Sequence, residues 1–340
     1  MLYKITILLC LTANILFILK FNTIASIINL FDLPDNKRKL HKDKVALLGG
    51  LIIFLSLIIF SINLLQNDTN FLNIFDFTKK NFFLLLIFSS LMFLFGFYDD
   101  KKSLNPNLKL FLVFMLILFY TFFDNSSLLL DLKFSFIEKT ISLRFMSIPV
   151  TILCYLLFIN AFNMFDGINL QCGIYSLSII LFLLLFNTFS NFLLFLLIPL
   201  VTFIILNLKN KCFLGDNGSM FLSFIFSALM IKSYNTQTTL IFADQIFLVM
   251  MIPGLELLRL AIFRIYKKKH PFKADRNHIH HYLLNNMNLW KTTIIIQSLI
   301  IIPIVLNMIF KLTMIIIILN LIIYSLLILK YYKINDTYKK

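Results

Sequence analysis

Residues 81–102 read NFFLLLIFSSLMFLFGFYDDKK, an apolar run from Asn81 to Tyr98 closed at once by two aspartates and two lysines. A helix needs roughly 17–25 mostly apolar residues to cross the hydrocarbon of a bilayer, and this run supplies them. The four charges mark where it meets water. Comparable runs lie near 5–30, 45–65, 108–123, 145–162, 172–188, 191–207, 213–232, 240–262, 293–310 and 312–330. The composition agrees: 340 residues that are 60% hydrophobic and 14% charged, with a mean hydropathy of +0.90, hold too little polar surface to cover a soluble globule. The expected fold is an all-α polytopic integral membrane protein of about eleven transmembrane helices. The connections are short, so residues 1–340 form a single transmembrane domain and any chemistry takes place at the membrane surface. Lys4 precedes the first run, but no small-residue cleavage site interrupts it, and it reads as a retained span.

Basic residues set the expected orientation. Of the 31 lysines and arginines, only Lys4, Lys79, Lys80, Lys133, Lys139, Arg144, Lys232 and Lys311 fall on the side taken as outside, and Lys20 and Arg259 fall within runs. The rest, including Lys37, Arg38, Lys39, Lys42 and Lys44 and the loop 263–292, share the other side, which is therefore the cytoplasmic one. Arg259 follows Glu256 by three residues, a spacing that reads as an ion pair neutralising both inside the membrane. The net charge of +15 belongs largely to this inner face, where topology and anionic headgroups account for it. No nucleic-acid-binding motif accompanies it. Cys10, Cys154, Cys172 and Cys212 lie in or beside apolar runs without a CxxC pair, which argues against disulfides and a zinc site.

Four polar strings sit at run ends on that inner side. The first is Gly96-Phe97-Tyr98-Asp99-Asp100-Lys101-Lys102, with Lys109 opening the next run. Adjacent carboxylates at a turn point in different directions, so one can ligate a divalent ion while its neighbour contacts substrate; a polar loop end is the plain alternative. The second is Asn160-Ala161-Phe162-Asn163-Met164-Phe165-Asp166-Gly167. Its amides and carboxylate offer donors and acceptors suited to a nucleobase or sugar, and Asn160 and Asn163 would share a helical face. The third, Phe213-Leu214-Gly215-Asp216-Asn217-Gly218-Ser219, opens a run with helix-start N–H groups that favour phosphate. Asp216 is there either a metal ligand or an N-cap. The fourth, His270-Pro271-Phe272-Lys273-Ala274-Asp275-Arg276-Asn277-His278-Ile279-His280-His281, holds four of the five histidines, a clustering that suits metal or phosphate contact; a solvated basic loop is the alternative.

In this order and on one face, the four strings resemble the polyprenyl-phosphate N-acetylhexosamine-1-phosphate transferase family of MraY and WecA type enzymes. The resemblance runs from about Asp32 to His281 and includes the inner loop Asp32–His41 that closes on Gly49-Gly50. The HIHH form of residues 278–281 looks more like the WecA branch than the triple-histidine pentapeptide branch. The chain departs from the family pattern at Asn169-Leu170-Gln171, where a second Asp-Gly is usual, and at Ala46-Leu47, where a Pro-Arg pair is common.

The resemblance implies transfer of N-acetylhexosamine-1-phosphate from a UDP-sugar (UDP-GlcNAc or a derivative) to polyprenyl phosphate, releasing UMP and starting a cell-envelope polysaccharide. The muramoyl-pentapeptide transferase reaction is the alternative. It implies Mg²⁺, with Mn²⁺ as a substitute, held by Asp100 and Asp216 with Asp99 beside the lipid phosphate and the metal. It implies that Asn163 and Asp166 hold the nucleoside, Phe213 stacks on uracil and Asn160 contacts the substrate. Phosphate and sugar contacts fall to Arg38, His41, Lys109, Arg276, His278, His280 and His281. The implied setting is the inner membrane of a bacterium, with the site facing the cytoplasm, and a homodimer is compatible with it. The rival of another class, an ion-coupled transporter, calls for acidic residues near the bilayer midplane and an internal repeat; the sequence shows neither.

Overall fold

The computed structural model describes residues 2–34, 43–65, 78–236, 241–271 and 275–337. The architecture is helical, with two small two-stranded sheets at the helix ends. In chain order the helices are α1 (Leu2–Leu19), α2 (Phe21–Ile28), α3 (Gly49–Leu65), α4 (Lys79–Lys102), α5 (Pro106–Phe123), α6 (Ser147–Phe165), α7 (Gln171–Leu185), α8 (Ser190–Leu208), α9 (Gly215–Asn235), α10 (Ala243–Tyr266), α11 (Ile279–Leu284), α12 (Leu289–Phe310) and α13 (Thr313–Thr337).

Each apolar run foreseen in the sequence contains a helix, but the expected count of about eleven spans is not reproduced. By length and composition seven described helices can cross a bilayer: α4, α5, α6 with the turn before it, α8, α10, α12 and α13. An eighth is the first run, which bends by 79° between α1 and α2. Exposed Lys20 occupies that bend, which explains a basic residue inside the run. Helices α3 and α7 are shorter, and α9 begins with the polar string GDNGS. Leucines, isoleucines and phenylalanines such as Leu8, Ile27, Phe122, Ile262 and Leu326 stand exposed on the outer helices, where a bilayer takes the place of water. The chain is a multi-pass membrane protein.

Helix α9 is the axis of the bundle. All its residues from Asn217 to Tyr234 are buried, and it packs mainly against α4 and α6. The approach of α4 is close because Gly96 has no side chain: a Cβ there would run into the Asp216 carbonyl and, at 2.6 Å, the Asn217 Cα. Local signals fix the ends of the helices around it. Thr78 caps α4 by accepting from the Asn81 N–H at 3.2 Å, and Asn105 caps α5 at Asn107, 3.0 Å, with Pro106 in the first helical position.

At the end of the bundle near Asp99, the strands β1 (Phe31–Asp32) and β2 (Val45–Ala46) pair antiparallel, and Ala46 bridges to Cys212. The Phe213 N–H donates to the Ala46 carbonyl at 2.9 Å, and the Gly49 N–H to the Phe213 carbonyl at 3.0 Å. These bonds stitch the first inner loop to the loop before α9. At the opposite end, β3 (Asp131–Phe134) and β4 (Ile137–Ser142) form a hairpin in the segment 124–144.

Candidate active site

The C-terminal turn of α4 meets the N-terminal turn of α9, and there Asp100 does the capping. One carboxylate oxygen accepts from the Asp216 N–H at 2.9 Å; the other accepts from the Asn217 N–H at 2.9 Å and its side-chain amide at 2.5 Å. Orphan amides at a helix start are satisfied this way, and a negative charge there is favoured. Asp216 is therefore not an N-cap: its side chain is left for other work.

That work centres on Lys109. Its ammonium lies 2.7 Å from Asp99 Oδ2 and 2.8 Å from Asp216 Oδ2, so carboxylates from α4 and α9 converge on one cation carried by α5. Asp99 also accepts from the Leu104 N–H at 2.6 Å, which fixes the turn after α4. The second oxygen of Asp216 accepts from the Asn163 amide, which also donates to Ser219 Oγ at 2.7 Å. Asn163 thus orients Asp216 from α6. Asn160, three residues earlier on the same helix, donates its amide to the Leu156 carbonyl at 2.7 Å.

Asp166 ends α6 one turn on. Burial, and then the negative charges of Asp216 and Asp100, push its carboxyl up to about 7. Gly167 follows, and a Cβ there would collide with the His280 ring, so this glycine lets the Asp166 loop lie directly on the histidine string. His278 and His280 stack, ring centroids 5.0 Å apart, and His281 packs on both. Burial, above all, lowers the pKa of His278 and takes that of His280 well below the ordinary imidazole value, favouring neutral rings. His280 is only 1% exposed, and neither of its ring nitrogens has a hydrogen-bond partner among the described residues. Arg276 is exposed, and Phe213 is half-buried with its backbone bound to β2. Arg38 and His41 lie outside the described residues, as do Lys273 and its neighbours Phe272 and Ala274.

Glu256 and Arg259 form the ion pair that their spacing predicts, at 2.5 Å, and it shapes the histidine string. Glu256 accepts from the Ile279 N–H at 2.8 Å and from Tyr324 at 2.5 Å, while Arg259 donates to the Asn277 carbonyl at 2.6 Å. Two further residues escaped sequence reasoning. Arg264, 2% exposed, pairs with Asp275 at 2.9 Å and donates to the Pro271 carbonyl at 2.6 Å. Asn207, 4% exposed, accepts from the Leu170 N–H at 2.6 Å and donates to the Cys212 carbonyl at 2.8 Å. It ties the loop carrying Asp166 to the loop preceding Asp216, with Leu170 held at φ +68°. Asn169, which stands where an acid is usual, donates its amide to Asn210 in the same cluster.

Among the described residues no three histidine, cysteine or carboxylate side chains are grouped to hold a metal ion. The convergence of Asp99 and Asp216 on one cation nonetheless fits magnesium, which uses hard oxygens and is commonly held by one or two carboxylates plus substrate phosphates.

Comparison with known proteins bears on the same residues. The family described as glycosyl transferase family 4 matches residues 82–234, a stretch that contains Asp99, Asp100, Lys109, Asn163, Asp166 and Asp216. The phospho-N-acetylmuramoyl-pentapeptide-transferase of Petrotoga mobilis is 29% identical over 71% of this chain and 76% of its own length. The undecaprenyl-phosphate alpha-N-acetylglucosaminyl 1-phosphate transferase of Thermotoga maritima is 27% identical over 78% and 77%. A probable undecaprenyl-phosphate N-acetylglucosaminyl 1-phosphate transferase of Bacillus subtilis is 25% identical over 77% and 71%. The matched stretch carries both carboxylate helices and the lysine between them, so over residues 82–234 the chain is similar to glycosyl transferase family 4.

Proposed function

We propose that this protein transfers an N-acetylhexosamine-1-phosphate group from a UDP-sugar to polyprenyl phosphate at the cytoplasmic face of a bacterial inner membrane. The observation that carries the reading is the convergence of Asp99 and Asp216 on the Lys109 ammonium at the N-terminus of α9. Alternating acid and base at a helix start is suited to two phosphate groups and a divalent ion.

In the reaction a lipid phosphate oxygen attacks the β-phosphorus of the UDP-sugar. The bond from that phosphorus to the bridging oxygen breaks, and UMP leaves with its electron pair. A phosphate monoester has a second pKa near 6, so the nucleophile needs no protein base. Asp99 then acts by position rather than by proton transfer. Lys109 supplies a fixed positive charge where two anions meet, Asn163 holds Asp216 in register, and Asp100 keeps the first turn of α9 in place. Asp99 and Asp216 would hold Mg²⁺, which would supply positive charge to neutralise the diphosphate and the leaving group. Asp166 and the histidine string would border the donor side, with Phe213 available to the uracil.

The HIHH string favours UDP-GlcNAc or a close UDP-HexNAc derivative, while the relative from Petrotoga mobilis keeps the pentapeptide donor as the second reading. Purified protein given polyprenyl phosphate, Mg²⁺ and a panel of UDP-sugars should release UMP with a simple UDP-HexNAc. Lys109→Met and Asp216→Asn should lower that rate at least about 100-fold without loss of the folded protein, as expected when preorganised charge is removed. Turnover of the pentapeptide donor alone would exchange the two readings. No turnover of any UDP-sugar, or full activity of both variants, would remove the first.

A further inference from the structure

A cavity of about 450 Å³ opens at the end of the bundle opposite the aspartates, bounded by helix ends: Asn81 near the start of α4, Asn125 just after α5 and Asn235 at the end of α9. Its size falls within the roughly 300–1,000 Å³ of small-molecule sites. The wall is built and held. Lys232 donates to Asp124 and to Ser126, both at 2.5 Å, and Asn235 donates to the Ser126 and Leu128 carbonyls at 2.9 and 2.8 Å. The Tyr234 hydroxyl accepts from the Lys133 N–H at 2.6 Å and donates to the Asp131 carbonyl at 3.0 Å, pinning β3 at two points.

This network leaves two charges over. Asp131 and Lys133, two residues apart on β3, both line the cavity. Neither side chain forms an ion pair or hydrogen bond among the described residues, with each other or with anything else. Lys232 is neutralised by Asp124, so the lining is balanced overall yet presents one unpaired carboxylate and one unpaired ammonium. A purely anionic ligand would meet Asp131, and a purely cationic one Lys133. A group carrying both signs meets complementary charge at each end.

The setting narrows the ligand. Helix ends mark the headgroup level of a bilayer, and the cavity rim carries Leu128 and Leu130, the latter 61% exposed. An amphiphile can therefore enter with its polar group in the cavity and its tails outward. A primary ammonium gives Asp131 N–H donors that a quaternary one lacks. We infer that the Asp131–Lys133 cavity binds the phosphoethanolamine headgroup of a phospholipid in the leaflet opposite the active site, its phosphate toward Lys133 and its ammonium toward Asp131. The inference is independent of the transferase reading.

Native mass spectrometry of the purified full-length protein, titrated in detergent with phosphatidylethanolamine, phosphatidylglycerol or phosphatidylcholine, tests it. Wild type should retain phosphatidylethanolamine at least about fivefold more tightly than either other lipid, a difference of about 1 kcal/mol. Asp131→Asn and Lys133→Gln, both close in size to the originals, should each abolish that preference. Equal retention of the three lipids by wild type, or an unchanged preference in both variants, would overturn the site. Should a variant fail to fold, the wild-type comparison decides alone.

Discussion

Asp124 and Lys232 pair at 2.5 Å at one end of α5 and α9, the same two helices that Lys109 and Asp216 join at the other end at 2.8 Å. The signs are exchanged between ends: α5 contributes the cation beside the active site and the anion at the far end. Both far-end side chains are nearly closed to solvent, at 5% and 1% exposure. Removing one partner of a buried pair strands the other, at a cost of about 3–5 kcal/mol, whereas replacing both by apolar groups is often neutral. Lys232→Met should therefore lower the unfolding midpoint in detergent markedly, and adding Asp124→Leu should recover most of the loss. A double variant no more stable than the single one would show that the pair is not the source of the effect.

Asn207 offers a sharper test of how the site is held. Its one amide joins the Leu170 N–H to the Cys212 carbonyl, and so sets the Asp166 loop against the loop before Asp216. Asn207→Ala should reduce kcat/KM for the nucleotide sugar about 10–100-fold, the range seen when a supporting hydrogen-bond partner is lost. Stability should fall by about 1–3 kcal/mol for the stranded N–H. Asn207→Asp keeps the acceptor for Leu170 but turns a carboxylate on the Cys212 carbonyl, and should recover only part of the activity. Wild-type kinetics in Asn207→Ala would remove the positioning role.

What the sequence discloses here is what its local order carries. Run length and terminal charge are contiguous properties, so the membrane class and the aspartates at Asp99, Asp100, Asp166 and Asp216 stand out unaided. The i, i+3 pair Glu256–Arg259 is legible for the same reason. Which carboxylate does which task is not. Asp100 caps a helix 116 residues away, and Lys232 finds Asp124 across 108 residues, pairings that no spacing rule announces. Asn160 is similar: its spacing to Asn163 puts both on one helix but does not announce that its amide donates to Leu156. The bend at Lys20 was hidden because an apolar run looks alike whether straight or broken.

The loop that carries the histidines should respond to acid through Asp275. Burial pushes its carboxyl up, but hydrogen bonds from Arg264 and from the Asn277 N–H outweigh that and hold it down at about 2. A depressed folded-state pKa gives stability that is complete above the unfolded value near 3.9 and is lost as pH falls toward 2. With the side chain 20% exposed, about 1–2 kcal/mol is expected. Asp275→Asn should therefore be less stable than wild type by that amount at pH 7, and the gap should narrow steadily below pH 4. A gap that stays constant from pH 7 to pH 3 would mean that the Arg264–Asp275 charge pair contributes nothing.

The transferase reading also requires one sidedness. Nucleotide sugars are made in the cytoplasm, so the loops bearing Asp100 and Asp216 must both face it, with the Asp124 end outside. Lys102, Lys211 and Asn125 are all exposed and serve as reporters beside these points. Each is to be changed to cysteine in a background lacking Cys10, Cys154, Cys172 and Cys212. In intact cells a membrane-impermeant thiol reagent should label the Asn125 variant and leave the other two unmodified; after permeabilisation all three should react. The positive-inside bias predicts this pattern from charge alone, and the structure adds a constraint that charge does not. Asp100 is bonded to the first turn of α9, so Lys102 and Lys211 cannot lie on different sides of the membrane. Labelling of either one in intact cells would place the carboxylates outside, beyond the reach of a cytoplasmic nucleotide sugar, and the transferase reading would fall with the orientation.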